Sequence, residues 1–189
     1  MWQLNVDCEN FRVHDTAPLL ALWRNFRRLI MEVFDGGKIK MTNLEKNAYI
    51  INETVVSAEF FDVDSMEVVW HGNYVKYMEV ARCALLDKIG YGYKEMVKEG
   101  FAYPVTSINL KYVRSLYFGD KATVKTYLVE YENCIKINYE IFNEKGELCT
   151  KAESTQMAID LKTKESRFEC TPWFIQRVEK ILKEEGKLK

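Results

Sequence analysis

Most of the commoner catalytic chemistries find no residues to work with in this 189-residue chain. There are two histidines, His14 and His71, and five scattered cysteines (Cys8, Cys83, Cys134, Cys149, Cys170) without a Cys-x-x-Cys pair. A bound metal is therefore not expected. An odd, dispersed set of thiols excludes a disulfide framework and points to a reduced, cytoplasmic setting. No Gly-x-Ser-x-Gly elbow, phosphate-binding glycine loop or dinucleotide fingerprint occurs, so no cofactor is expected. A net charge of −1 excludes a general polyanion binder, and no nucleic-acid partner is expected. The most apolar early stretch, residues 18–34, carries Arg24, Arg27 and Arg28, and so fails as a membrane span or signal peptide.

What the chain does have is apolar bulk. A hydrophobic share of 48% with 13% aromatics supplies one sizeable core, and the length fits one domain with an appendage. Residues 1–48 read as an extension and linker, residues 49–189 as the domain. Within the extension, Leu19, Leu22, Trp23, Phe26, Leu29, Ile30 and Val33 recur at helical steps between Thr16 and Gly36-Gly37. Its three arginines read as the solvated face of a packing helix. The polar stretch 38–47 reads as a linker. Met41 within it is an expected alternative translation start, which the intact mass of natively expressed protein decides.

From residue 49 to 61 β-forming residues dominate, and a strand is predicted. A loop, 62–72, leads into a predicted helix, 73–89, with Asn73 as N-cap and Gly90 as stop. Tyr74, Met78, Ala81, Leu85 and Ile89 form its apolar stripe, while Lys76, Glu79, Arg82 and Asp87 fall largely off it. A short helix, 93–99, follows. The period then switches to alternation over 103–114, 121–131, 133–142 and 148–161, with turns at Phe118-Gly119-Asp120, Glu132-Asn133 and Asn143-Gly146. A last helix, 171–184, opens on Thr171-Pro172. One long helix against an antiparallel sheet in hairpin order is an α+β fold, a helix packed on a curled sheet.

The strand–loop–helix junction is the chemically suggestive stretch. Two carboxylates, Asp62 and Asp64, precede a helix whose first turn offers unpaired N–H groups and a partial positive charge. Such donors stabilise a developing oxyanion while a nearby carboxylate attacks or activates water. Asp62 reads as the residue that orients the loop. Glu79 and Arg82 read as an i,i+3 ion pair.

Asp62-Val63-Asp64, Val68-Val69-Trp70-His71, Asn73-Tyr74 and Glu79-Val80-Ala81-Arg82 together resemble the signature of hotdog-fold acyl-CoA thioesterases of the 4-hydroxybenzoyl-CoA thioesterase type. Tyr112-Val113-Arg114-Ser115-Leu116-Tyr117-Phe118-Gly119-Asp120 is similar to that family's second-strand ending. The resemblance covers residues 53–160. It implies a hotdog fold and hydrolysis of an acyl thioester carried by CoA or an acyl carrier protein. It also implies a homodimer or homotetramer with the active site at the subunit interface. By position, Asp64 is the reacting carboxylate and the backbone N–H of His71 holds the thioester carbonyl; the imidazole of His71 stays open as acid or base. Trp70, Asn73 and Tyr74 are candidates for substrate binding; Trp70 and Tyr74 read as lining of an acyl pocket or, more commonly for aromatics at such spacing, as plain core.

Two positions depart from the family pattern. Glu67 stands where a glycine is usual. Glu132-Asn133-Cys134 occupies the turn where relatives carry Arg or Lys for the CoA phosphates, which leaves Lys111 and Arg114, with Lys136, as candidates. A hotdog enoyl-thioester hydratase or dehydratase stays open as a second reading, although its Gly-Asp-x-Asn-Pro context is missing. A non-catalytic acyl-sensing regulator, with the arginine-bearing first helix on DNA, is a third.

Overall fold

The computed structural model describes residues 42–187. The expected helix 17–34 and the candidate start at Met41 lie outside them. The chain falls into two units, residues 1–42 and 43–189, and the architecture below is that of the second. Part of the expected linker is already structured. Asn43–Asn47 form a short helix, α1, whose Glu45 lies 3.9 Å from Lys125.

Strand β1 (Ile50–Ser57) stops earlier than the alternation suggests, because Phe60–Asp62 turn into a single 3-10 loop. The central helix α2 spans Asn73–Ile89, and Gly90 ends it in the left-handed region at φ 73, where its N–H caps the carbonyls of Leu86 and Asp87. The cap residue is Gly72, not Asn73. After α3 (Tyr93–Lys98) come β2 (Phe101–Ala102), β3 (Val105–Tyr112), β4 (Lys121–Glu130), β5 (Ile135–Phe142), β6 (Leu148–Gln156) and β7 (Ile159–Asp160). Helix α4 (Pro172–Glu184) closes the described chain, with the Thr171 hydroxyl accepting the Phe174 N–H as its cap.

The five-stranded sheet is antiparallel in the order β1-β4-β5-β6-β3. Here the structure corrects the hairpin-order expectation. β3 does not pair with β4; it lies at the far edge beside β6, with Leu110 opposite Ala152. The physical reason is the segment 113–120, which is too long for a tight hairpin. It crosses the start of α2 instead, pinned by the Val69 N–H on the Leu116 carbonyl (2.8 Å) and by the Leu116 N–H on the Tyr74 hydroxyl (3.1 Å).

Tyr74, Tyr77, Met78, Ala81, Leu85, Leu86 and Ile89 of α2 are buried against Val124, Leu128, Ile137, Tyr139 and Ile141 of the sheet. At about 1.5–3 kcal/mol for each large side chain, this face alone outweighs any propensity effect in fixing the helix. Arg82 is a correction: expected largely off the stripe, it is buried, with its guanidinium 2.5 Å from Glu79 and 2.6 Å from the Tyr93 hydroxyl. Its long stem packs inward while the charge stays paired.

Candidate active site

Between β1 and α2 the chain makes a small hairpin. Val63 bridges Val69, the Asp64 N–H donates to the Val68 carbonyl (2.9 Å), and the Glu67 N–H donates to the Asp64 carbonyl (3.0 Å). Closing this turn places Glu67 at φ 61, in the left-handed region. Only glycine adopts that conformation freely. The backbone therefore keeps the glycine-like shape although the side chain is Glu. Asp64 is half-buried, and its Oδ1 accepts the Met66 N–H at 2.8 Å. Its other oxygen has no partner among the described residues.

Asp62, two residues earlier, does different work. Its carboxylate is fully buried and accepts from the Lys76 ammonium, the Tyr77 hydroxyl (2.9 Å) and the Glu59 N–H (3.0 Å). Burial alone would raise its pKa, but these donors, Lys76 foremost, hold it below the ordinary value. The same Asp62–Tyr77 contact, together with burial, pushes the Tyr77 hydroxyl up. The Asp62 carbonyl takes two further donors, the Trp70 N–H and the Asn73 side-chain amide, both at 2.8 Å.

At the start of α2, none of the described residues accepts the backbone N–H of His71. Its carbonyl is fixed by the Tyr112 hydroxyl at 3.0 Å. The Trp70 ring folds over this turn, 4.8 Å from the His71 ring, and a Cβ on Gly72 would meet it at 2.0 Å. A larger residue there requires the half-exposed Trp70 ring to move aside. Asp64, His71, Tyr74, Tyr112, Arg114 and Ser115 bound one cleft of about 250 Å³. Tyr74 forms its floor, buried, edge-on to Tyr112 at 5.3 Å, with its hydroxyl pKa raised by burial. Arg114 stands at the rim, donating to the Leu148 carbonyl (3.1 Å) and 3.9 Å from Glu147.

The structure thus brings Asp64, His71, Tyr74 and Arg114 to one cleft and leaves four sequence candidates out of it. Trp70 lies on the outer side of the turn, half-exposed, and does not bound the cleft. The Asn73 amide is occupied by the Asp62 carbonyl. Lys111 is on the other face of the sheet, in a separate depression with Leu44, Asn109 and Lys151. Strand alternation requires this, since neighbouring Tyr112 faces the cleft. Lys136 is likewise outward and paired with Glu153 at 3.0 Å. Sequence reasoning missed Tyr112 and Ser115 as cleft residues; the same alternation, counted from Ile108 and Leu110, would have found Tyr112.

Comparison with known proteins identifies the family. The thioesterase-like superfamily profile matches residues 59–179, which is more than half of the chain. The Bacillus subtilis (strain 168) protein YneP, named as an acyl-CoA thioesterase, is 34% identical over 111 residues, covering 58% of this chain and 80% of its own. The DHNA-CoA thioesterase structure from Staphylococcus aureus superposes with a TM-score of 0.64 at 34% identity, over 74% of this chain and 97% of that one. A second Staphylococcus aureus structure, SAV2348 in complex with CoA, shares the fold at 18% identity and a TM-score of 0.65, over 71% of this chain and 85% of its own. The chain belongs to the thioesterase-like superfamily and is a hotdog-fold thioester hydrolase.

Proposed function

We propose that this protein hydrolyses acyl-CoA thioesters with Asp64 as the reacting carboxylate and the His71 N–H as the donor to the thioester carbonyl. The observation that carries the reading is the placement of both groups on one cleft. Asp64 offers an unpaired oxygen there, and the His71 N–H has no acceptor among the described residues. A thioester carbonyl is electrophilic and its thiolate leaves without strong acid help, so one carboxylate and one oriented donor form a sufficient set. Asp64 attacks the carbonyl carbon directly or takes a proton from the attacking water. Arg114, on the rim, is placed for an anionic group of the carrier, although Glu147 tempers its charge. CoA is favoured as carrier because both relatives at 34% identity are named for CoA thioesters.

The working unit on this reading is a homodimer. β3 is an eight-residue edge strand, exposed along nearly its whole length, and carries Val105, Ile108 and Tyr112. An edge of that length and apolarity calls for a cover, and a second copy paired along it sets two clefts beside the interface.

The test is thiol release from short-, medium-, long-chain and aromatic acyl-CoAs by the protein and by Asp64→Asn. The amide keeps the acceptor for the Met66 N–H, so the loop survives while the reacting oxygen is lost. Turnover falls at least about a hundredfold. Near-normal turnover by the variant rejects the assignment of Asp64.

A further inference from the structure

We propose that Asp62 and Lys76 are positioning residues, an ionic clamp between a buried carboxylate and a half-exposed ammonium that sets the distance between Asp64 and the start of α2. The proposal rests on Asp64 being the reacting carboxylate.

Loops are ordinarily held down by burying their apolar side chains. In this one Val69 is buried in the core and Val63 packs against it, whereas Phe60, Phe61 and Met66 are 76%, 75% and 73% exposed and Trp70 is half-exposed. Asp62 adds a polar hold to those two valines. Its carboxylate grips Lys76 and Tyr77, on the first turns of α2, together with the Glu59 N–H at the foot of the loop. Its carbonyl grips Trp70 and Asn73, where the hairpin rejoins the helix. One residue thereby joins loop entry, loop exit and helix start, and Asp64 hangs two residues beyond it. The charged and titratable groups facing Asp62 are Lys76 and Tyr77 from α2 and, at the foot of the loop, the Glu59 carboxylate, whose side chain caps the Asp62 N–H while the Glu59 N–H donates to the Asp62 carboxylate. The Phe61 ring lies 4.8 Å from the Lys76 ammonium, a cation–π contact on its exposed side.

The clamp works only while Asp62 is ionised against a cation. Removing the ammonium leaves a buried carboxylate that is tolerated when protonated and must find water when charged. Lys76→Met therefore converts a fixed loop into one that opens as pH rises. A misplacement of about 1 Å at a reacting group costs about a hundredfold in rate.

The experiment follows kcat and KM between pH 5 and 9 for the protein, Lys76→Met and Asp62→Asn/Lys76→Met, on whichever acyl-CoA of the panel above is turned over fastest. Amide hydrogen exchange of residues 60–72 is measured at the same pH values. Lys76→Met is expected to lose kcat progressively with rising pH, reaching about a hundredfold, with KM little changed and exchange of the loop accelerated against the parent. The double variant has no charge to solvate and is expected to recover a parent-like pH profile. A Lys76→Met profile parallel to the parent, or a double variant that keeps the pH-dependent loss, overturns the clamp. If Asp64→Asn is active while the loop exchange behaves as described, the clamp stands as a loop fastener and the assignment of Asp64 falls. If nothing in the panel is hydrolysed, the exchange data alone decide: unaltered protection in Lys76→Met overturns the proposal.

Discussion

The hydroxyl of Tyr112 donates to the carbonyl of His71 at 3.0 Å, fastening the end of β3 to the turn that opens α2. The peptide that carries this carbonyl lies beside the N–H assigned to the substrate. Tyr112→Phe removes the fastening without removing the ring from Tyr74. A half-exposed neutral hydrogen bond contributes about 1 kcal/mol, so the variant is expected to lose no more than a few degrees in Tm. Its kcat/KM should fall about tenfold, because an oriented donor loses its brace. Parallel melting and steady-state measurements check this; unchanged kcat/KM would free Tyr112 from any part in the reaction.

Glu67 sits at φ 61, where a residue with a Cβ costs about 1–2 kcal/mol. Glu67→Gly relieves that strain but gives the unfolded chain freedom worth about 0.5–1 kcal/mol. The net expectation is a gain of up to about 1 kcal/mol, read as a rise in denaturation midpoint at constant m-value. A clear loss would show that the Glu67 carboxylate itself stabilises the loop.

Asp62 links stability to pH. Its folded-state pKa lies below the ordinary value of 3.8, so its contribution is fully present above that value and is lost as pH falls through the lower folded one. Asp62→Asn should cost about 2–3 kcal/mol at pH 7, from hydrogen bonds to a charged group. The gap to the parent should close as the pH drops below 4. Urea melts at pH 7, 5 and 3 measure it, and a gap that is constant with pH would mean the charge is not what holds the loop.

Ile108 lies near the middle of the exposed β3 edge and borders a small cleft with Arg82. Ile108→Glu puts a carboxylate where a second copy would pair, while Arg82 offers it a counter-charge within its own chain. Light scattering should show a shift from dimer to monomer at micromolar protein. A variant of unchanged mass would remove the β3 edge from the interface.

Helix α2 was legible to the residue because its apolar stripe, Tyr74 to Ile89, and its Gly90 stop report on local geometry alone. The same holds for α4 with its Thr171-Pro172 start. Strand identities followed from alternation, but the seat of β3 did not. Alternation says which face a residue shares, not which strand it pairs with, and Leu116, the residue that anchors the crossing segment, looks like any loop leucine in sequence. Asp64 and His71 were singled out through resemblance, and the structure sets both on one cleft. Lys111 was misplaced because its charge was weighed without the parity that puts Tyr112, and not Lys111, on the cleft side. The grip of Lys76 on Asp62 spans a loop and a helix turn, and no spacing within either element announces it.

The far-edge position of β3 also sets how local the parts of the molecule are. β4, β5 and β6 are neighbours in both chain and sheet, so their loops close cheaply, whereas β1 and β3 are each paired across long separations. The cleft is bounded on one side by the loop that follows β1 and on the other by the end of β3. Its walls therefore rest on the two longest-range pairings of the sheet, and the local meander by itself does not contain it.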